Sequence, residues 1–480
     1  MKIGFASFGE SWNTMGLEIV CNEIERNFSI KPKPATIETA KDFDIMLFSL
    51  YWWEHKYDYI KYIKNAGIIP KNKKPYLILG GMEMMNPKPL SSFFDYAIIG
   101  DGEDVITELI NDIISKREPT HESIWVDGRS KNNCKPYVKK SLYAMNYMED
   151  RTNKLSRVEI ARGCKKKCLF CMISFVKPYR ELPSQAVKTL IQNSPTNRIA
   201  LFSPDTGSYS DYELIEYWVK KYKKTNMGTD LRLDIAYKKK TASALRFGIE
   251  AFTEKCRMAI GKPYSNEKLI TYFDHIANTL QKTKGGRLTV ATVYMILGLP
   301  GERDIDYSEF NETLSRMDAI INKKFTLFLT LNGFSPQNFT PLQFASIDPF
   351  VDYTKKWNAA RSRHKKLVIA QHGGSRNSSA QILQMLTIRG DEKMSKLMYN
   401  LSVNSEIKRK AIGKSLNNGK YLLDLIKSQG MTERKIIGEL KIEDKLPWDE
   451  INNDEVFSKE KLYKMYQIYK RRVFGEKNYL

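Results

Sequence analysis

The chain has 480 residues, enough for two or three domains, and its 42% hydrophobic and 28% charged residues argue against intrinsic disorder. Lys and Arg (77) outnumber Asp and Glu (55), and the net charge of +22 favours polyanionic partners such as nucleic acid, although lysine-rich composition alone also explains it. The longest apolar runs are shorter than the roughly 20 residues of a membrane-spanning helix. No secretory signal is recognisable at Met1, so we expect a cytoplasmic protein that does not enter membranes.

The first predicted domain, residues 1–126, alternates short apolar runs with amphipathic segments. Apolar runs at 2–8, 43–49, 76–79 and 96–99 predict strands, and helical spacing appears at 15–27, 57–65 and 104–115. This alternation predicts a Rossmann-like open parallel sheet, whose ligands bind beyond the carboxyl ends of the strands. Residues 127–155 are polar and are predicted to form a linker.

A second β/α series occupies residues 156–349. Strands are predicted at 156–161, 198–203, 230–236, 246–251, 288–297 and 325–331, separated by helices near 184–192, 211–223, 265–282 and 303–319. Such a series predicts a partial (β/α)6 barrel with its site at the strand C-termini. Residues 350–480 lose the strand signal and predict a helical region, with segments at 352–364, 379–388, 393–401, 420–429 and 460–472.

Three cysteines, Cys164, Cys168 and Cys171, follow the first strand of this second series with the spacing C-x3-C-x2-C. Three thiolates can hold three irons of a 4Fe–4S cluster and leave the fourth iron open. Structural zinc is the alternative, but it needs four ligands, and none of the five histidines is nearby in sequence. The other cysteines share no spacing, which argues against a disulfide framework.

This loop resembles the signature of the radical S-adenosylmethionine (radical SAM) superfamily. The resemblance implies that the open iron binds the amino and carboxylate groups of S-adenosylmethionine. An electron from the cluster then releases a 5′-deoxyadenosyl radical that abstracts a substrate hydrogen. It also places Phe170, just before the third cysteine, among the cofactor-binding residues.

Further segments resemble the same superfamily. The run Arg246-Phe-Gly-Ile-Glu-Ala251 is similar to its fourth-strand segment, which implies contacts from Glu250 and Arg257 to the ribose and the methionine carboxylate. Gly298, Leu299 and Pro300 begin a Gly-Leu-Pro-Gly-Glu turn that is similar to the adenine-binding turn. Ser203 and Asp205 stand at the second-strand end, where the superfamily holds the amino group. The alternative for Glu250 and Arg257 is an ion pair at the strand end, and the alternative for the Gly298–Pro300 segment is a plain strand-to-helix turn.

The N-terminal domain resembles that of cobalamin-binding radical SAM enzymes in an uncharacterised branch. It departs from them because the cobalt-ligating pattern D-x-H-x-x-G is absent; His55 stands in Trp53-Glu-His-Lys-Tyr57. Cobalamin is therefore a candidate cofactor that the sequence does not favour. A scaffold or substrate-docking role is the preferred interpretation of this domain.

The sequence thus predicts a radical SAM enzyme with a three-cysteine 4Fe–4S cluster. The sequence does not identify its substrate. We expect a large substrate, for which nucleic acid and protein are both candidates. No catalytic residue can be named, and the oligomeric state is not predicted. Lys165-Lys-Lys167 in the cysteine loop predicts docking of an acidic reductant of the flavodoxin type, or else a solvated charge run. The alternative function is a radical SAM-like fold whose chemistry has lapsed and which serves as a binding or structural component.

Overall fold

The computed structural model describes residues 1–9, 15–71, 74–127, 135, 148–150, 155–226, 231–236, 244–279, 290–322, 324–352, 355, 377–413 and 415–475. The chain divides into two compact units. One comprises Met1–Asp150 with Ser378–Lys459, and the other comprises Arg151–Asn377 with Glu460–Leu480.

The first unit contains an open sheet with strand order β2-β1-β3-β4-β5-β6, in which only β6 is antiparallel to its neighbour. Its elements in chain order are β1 (Ile3–Ser7), α1 (Met15–Phe28), β2 (Lys33–Pro34), β3 (Ile45–Ser49), α2 (Glu54–Asn65), β4 (Tyr76–Gly80), β5 (Tyr96–Ile98), α3 (Glu103–Ile114), β6 (Ile124–Trp125) and β7 (Met148–Asp150).

Successive residues of a strand point to opposite faces of the sheet. Because the central strand β3 is apolar at successive positions, both faces of the sheet are apolar, and helices cover both of them. Leu47 of β3 packs in a core with Leu17 of α1 and Leu109 of α3. Its neighbour Phe48 meets Tyr59 of α2, with ring centroids 4.9 Å apart. The sequence prediction of a Rossmann-like parallel sheet is confirmed.

The second unit begins with β8 (Leu155–Glu159) and continues in alternating strands and helices. Its further elements are β9 (Ala161–Arg162), α4 (Ile173–Val176), β10 (Arg180–Glu181), α5 (Ser184–Asn193), β11 (Arg198–Phe202), α6 (Tyr212–Lys221), β12 (Thr225–Asn226), α7 (Leu233–Ala236), β13 (Ala244–Glu250), α8 (Glu254–Ala259), α9 (Asn266–Thr279), β14 (Val290–Leu297), α10 (Asp304–Ile321) and β15 (Thr326–Gly333).

Six parallel strands of this unit form the partial barrel, three in the order β12-β11-β8 and three in the order β13-β14-β15. Strict alternation of buried and half-buried residues along β14 shows one face against the helices and one toward the barrel interior. The prediction of a strand at 230–236 is wrong: Leu233–Ala236 is helical, and the third strand is Thr225–Asn226. Two polar residues, Thr225 and Asn226, are too few to show the apolar alternation by which a strand is recognised in a sequence.

The remaining elements are helices: α11 (Ser378–Arg389), α12 (Ser395–Val403), α13 (Ser405–Ala411), α14 (Leu416–Ser428), α15 (Glu433–Ile437) and α16 (Lys459–Phe474). The predicted helical region is thereby confirmed in residues 378–474, whereas the helix predicted at 352–364 lies almost wholly outside the described residues. Helices α11 to α15 belong to the first unit and α16, from Glu460, to the second. The sequence did not predict this division.

Two buried side chains of the first unit explain why α11 packs there. Nζ of Lys56 donates to the carbonyl of Thr387 at 2.9 Å, and Nδ2 of Asn86 donates to the carbonyl of Ile388 at 2.8 Å. These are the C-terminal carbonyls that a helix leaves without a partner. Lys56 also pairs with Glu83 at 3.2 Å, so its buried charge is compensated. Among the described residues, no helix has the length and apolar character needed to cross a membrane.

Candidate functional site

The three cysteines lie on one tight loop that follows β8 and β9 in the second unit. Gly163 opens the loop with a φ of +72°, and a Cβ there would collide with the carbonyl oxygens of Lys177 and Pro178. Inside the loop, the N–H of Cys171 donates to the carbonyl of Cys168 at 3.0 Å. This local hydrogen bond places Cys168 and Cys171 on the same turn of backbone.

Neighbouring segments hold this loop in place from two sides. The N–H of Leu169 donates to the carbonyl of Ile260 at 3.0 Å, and its carbonyl accepts from Leu342 N–H at 3.3 Å. Gly261, with a φ of +86°, allows the backbone after α8 to approach Lys167 closely. The loop is thus fixed between the end of α8 and the segment that follows the sixth barrel strand.

Burial raises the pKa of all three thiols, that of Cys171 to about 11. Two cations act in the opposite direction on Cys168, since the charges of Lys262 and Arg232 lower its pKa. Nη1 of Arg232 lies 4.0 Å from Sγ of Cys168. Positive charge beside these sulfurs stabilises the thiolate form, which is the form that binds metal.

The donor set suits an iron–sulfur cluster of the kind the sequence predicts. In such a cluster each thiolate binds its own iron, so the sulfurs need not converge on one point. Among the described residues, no three His, Cys, Asp or Glu side chains are gathered closely enough to surround a single metal ion. Asp205 adds an unsatisfied acceptor: the residue is buried, and its Oδ1 has no hydrogen-bond partner within the described part of the chain.

Glu250 ends β13 just beyond an irregularity in the strand register at Gly248. Its backbone has a φ of +74°, a left-handed conformation that is strained for a residue with a side chain. The carboxylate pairs with Nζ of Lys262 at 3.2 Å, and Lys262 also donates to the carbonyl of Gly248 at 3.2 Å. A pre-positioned carboxylate–ammonium pair therefore stands at the mouth of the fourth barrel strand, beside the cysteine loop.

Arg257, in contrast, forms hydrogen bonds within the protein. This placement does not support the predicted contact of Arg257 with the methionine carboxylate. Its side chain is completely buried, and Nε donates to the carbonyl of Tyr264 at 2.8 Å. Nη1 donates to the carbonyls of Ala251 and Phe252, and Nη2 to the side chain of Asn266. Since these acceptors engage every nitrogen of the guanidinium, Lys262 and Arg232 replace Arg257 as cationic candidates.

Ser203 and Asp205 lie together at the end of β11, as the sequence predicted for the second strand. Both are buried, and Oγ of Ser203 accepts from the N–H of Asp205 at 3.4 Å. Oδ2 of Asp205 accepts from the hydroxyl of Ser208, and the charge of Asp205 raises the pKa of Cys164. The pair is therefore close enough to the cysteine loop to act on it electrostatically. Phe170 is half-buried within that loop.

The predicted adenine-binding turn is held from inside by its own glutamate. Oε2 of Glu302 accepts from the N–H groups of Gly298 at 2.9 Å and Leu299 at 3.2 Å. The hydroxyl of Tyr307 also donates to Oε2, at 3.3 Å. Burial raises the pKa of Glu302 to about 8. Gly298, Leu299 and Pro300 are thus fixed in one conformation after β14.

Sequence reasoning did not assign roles to Arg232, Lys262 and Glu302. Glu302 could have been found from its place in the turn motif, and Lys262 from its nearness to Glu250 in the resembling segment. Arg232 gave no signal, because it lies in residues predicted as a strand. In the first unit, Nδ1 of the buried His55 accepts from the N–H of Tyr51 at 3.2 Å, and burial lowers its pKa.

Comparison with known proteins matches one segment in each unit of the chain to radical SAM proteins. Residues 31–126 match the N-terminal domain of radical SAM proteins, and residues 158–314 match the radical SAM superfamily domain. The uncharacterized protein MJ0966 of Methanocaldococcus jannaschii is 25% identical over 382 residues, covering 75% of this chain and 81% of that protein.

Two solved structures match this chain, and the first of them shares its fold. One is the radical S-adenosylmethionine methyltransferase TsrM of Kitasatospora setae, with a TM-score of 0.51, 10% identity, and coverage of 74% of this chain and 75% of that one. The other is the cobalamin-dependent S-adenosylmethionine radical enzyme OxsB, with a TM-score of 0.46, 11% identity, and coverage of 99% and 79%, respectively. With both sequence matches lying on the two folded units and the three cysteines on the expected loop, the chain belongs to the radical SAM superfamily.

Proposed function

We propose that this protein is a radical SAM enzyme whose single 4Fe–4S cluster is held by Cys164, Cys168 and Cys171. When bound, the cluster would supply the electron that cleaves S-adenosylmethionine to a 5′-deoxyadenosyl radical, which removes a substrate hydrogen atom. The observation that carries this proposal is the cysteine loop itself, fixed at the strand C-termini beside two buried cations. A decayed site would have no reason to retain this arrangement.

The chain's own residues would orient the cofactor in three ways. Glu250 and Lys262 form a fixed charge pair suited to the ribose hydroxyls and the methionine carboxylate, respectively. Asp205 offers its unsatisfied Oδ1 to the amino group. The Gly298-Leu299-Pro300 backbone, held by Glu302, presents a surface without bulky side chains to the adenine.

The electron donor is proposed to be an acidic protein of the flavodoxin type. Lys165 pairs with Glu181 at 3.0 Å and lies over the ring of Tyr179, and Lys167 donates to the carbonyl of Ser174. Lys166, between them, makes no side-chain hydrogen bond or ion pair to the described residues, which supports a role in contacting a partner. The net charge of +22 supports steering of such an acidic donor, and also supports a polyanionic substrate.

The proposal is tested with anaerobically reconstituted protein. We expect about four irons and four sulfides per chain, an absorption shoulder near ~400 nm, and 5′-deoxyadenosine when S-adenosylmethionine and dithionite are added. The triple variant Cys164→Ser/Cys168→Ser/Cys171→Ser should lose all three signals. Cys256→Ala is the matched control, since that buried cysteine lies outside the loop. Wild-type protein with an intact cluster and no 5′-deoxyadenosine would favour the lapsed, structural alternative.

A further inference from the structure

The last helix in the described part of the chain, α16, packs directly against the turn that begins at Gly298. The hydroxyl of Tyr469 donates to the carbonyl of Pro300 at 2.7 Å. Tyr469 is completely buried, and Val473, one helical turn further, is 3% exposed. The contact joins residues 169 positions apart, so it forms only when the C-terminal helix is docked.

Gly301 lets this helix approach the backbone of the turn. Its φ is +90°, and a Cβ at this position would collide with Cγ1 of Val473. Any other residue at 301 would therefore push the helix away and strain the turn as well. The close approach of α16 to the turn therefore depends on two residues, Gly301 in the turn and the branched side chain of Val473 on the helix.

The same helix also contacts the segment that follows the sixth barrel strand. Tyr463 meets Phe344 edge to face, with ring centroids 4.9 Å apart. Two residues before Phe344, the N–H of Leu342 donates to the carbonyl of Leu169 within the cysteine loop. One helix thus contacts the turn directly and reaches the cysteine loop through a single intervening segment.

We propose that α16 is a brace that holds the cofactor-binding turn in its binding conformation, with Tyr469 as the positioning residue. This inference rests on the proposed function, because it concerns affinity for S-adenosylmethionine. The carboxylate of Glu302, within the turn, and the hydroxyl of Tyr469, on α16, both hydrogen-bond to the turn backbone. The turn is therefore stabilised by two different parts of the chain. Docking of the C-terminus is thereby coupled to cofactor binding.

The expected size follows from one neutral hydrogen bond, which contributes about 1 kcal/mol, or roughly fivefold in an equilibrium constant. Tyr469→Phe keeps the ring and removes only the hydroxyl. We expect about fivefold weaker binding of S-adenosylmethionine to the cluster-loaded protein, measured by anaerobic equilibrium dialysis. Iron content and cluster absorption should stay unchanged, because no cysteine contact is altered.

Hydrogen–deuterium exchange gives a readout that does not depend on the cluster. In protein without iron, amides of a peptide covering residues 297–303 should exchange several-fold faster in Tyr469→Phe than in the wild type. Tyr217→Phe is the matched control, since that ring is 55% exposed on α6 and its hydroxyl has no contact with the turn. Equal affinity and equal exchange in wild type and Tyr469→Phe would overturn the inference.

A second pair of variants tests the close approach independently. Gly301→Ala should weaken cofactor binding more than Tyr469→Phe does, and Gly301→Ala/Val473→Ala should recover part of the loss because the collision is relieved. No recovery would show that only the strain at residue 301 matters and would count against the brace. If cluster-loaded wild type does not bind S-adenosylmethionine at all, the proposed function fails. The exchange comparison still decides whether α16 holds the turn.

Discussion

Nη1 of Arg232 lies 4.0 Å from Sγ of Cys168, which places a buried guanidinium beside one of the three proposed cluster ligands. The guanidinium is held there by Asp234, whose Oδ1 accepts from Nε at 3.1 Å, and by the ring of Tyr264, 5.4 Å away. Because both supports come from neighbouring structure, the position of this charge is fixed before any cofactor binds.

A fixed positive charge near an iron–sulfur cluster favours its reduced form. We therefore expect Arg232→Gln to lower the reduction potential, by on the order of 100 mV, since unit charges 4 Å apart interact by about 4 kcal/mol at an effective dielectric constant near 20. Redox titration monitored by electron paramagnetic resonance measures this shift. Arg232→Lys keeps the charge and should stay close to wild type; an unchanged potential in Arg232→Gln with full iron content would contradict the prediction.

The buried carboxyl of Glu302 predicts a pH dependence of stability. Its pKa of about 8 in the folded chain lies above the ordinary 4.5, so the folded state binds more protons than the unfolded state between these values. The free energy of unfolding should consequently fall as pH rises from 5 toward 8, by at most about 1.4 kcal/mol per pH unit. Glu302→Gln mimics the protonated acid and should remove this decline.

Denaturant unfolding of metal-free wild type and Glu302→Gln at several pH values provides the measurement. Glu312→Gln, at an exposed position on α10, is the control and should keep the wild-type slope. Parallel pH profiles for wild type and Glu302→Gln would show that another group governs the decline.

Arg257 predicts a loss of stability, and its variant separates a structural role from the cofactor role that the sequence implied. Arg257→Lys cannot satisfy the buried carbonyls of Tyr264, Ala251 and Phe252 together, so we expect a loss of roughly 3 kcal/mol in the free energy of unfolding. Arg316→Lys, at an exposed pair with Glu267, is the control and should keep nearly wild-type stability. Wild-type stability combined with lost cofactor affinity would restore the original interpretation.

Lys166 predicts a kinetic effect that depends on the electron donor. Lys166→Ser should slow formation of 5′-deoxyadenosine several-fold with flavodoxin as reductant, because steering by charge raises association rates. The rate with dithionite should remain that of the wild type. Lys220→Ser removes an equal charge from the exposed face of α6 and is the control. Equal flavodoxin-driven rates in all three proteins would exclude docking at this lysine.

Strand and helix positions were predictable where hydrophobic periodicity is strong. The strand predicted at 288–297 is found at Val290–Leu297, and the helix predicted at 303–319 is found at Asp304–Ile321. The third barrel strand was missed because Thr225–Asn226 is two residues long and polar, whereas the apolar run after it is helical. Short elements of this kind are set by tertiary pairing, here with Arg198 and Ile199 of β11.

The cysteine loop could be recognised from local sequence, since cysteines three and four residues apart lie on one short stretch of backbone. The sequence by itself also determined the Gly-Leu-Pro-Gly-Glu turn and the two β/α series. The positions of the cations depend on tertiary packing: Arg257 is engaged by backbone carbonyls, while Arg232 and Lys262 lie beside Cys168. Only the tertiary structure brought Tyr469 to Pro300 as well. Charge–sulfur and helix–turn contacts join residues that are distant in sequence. No local pattern therefore indicates which of the many basic or aromatic residues will be buried together.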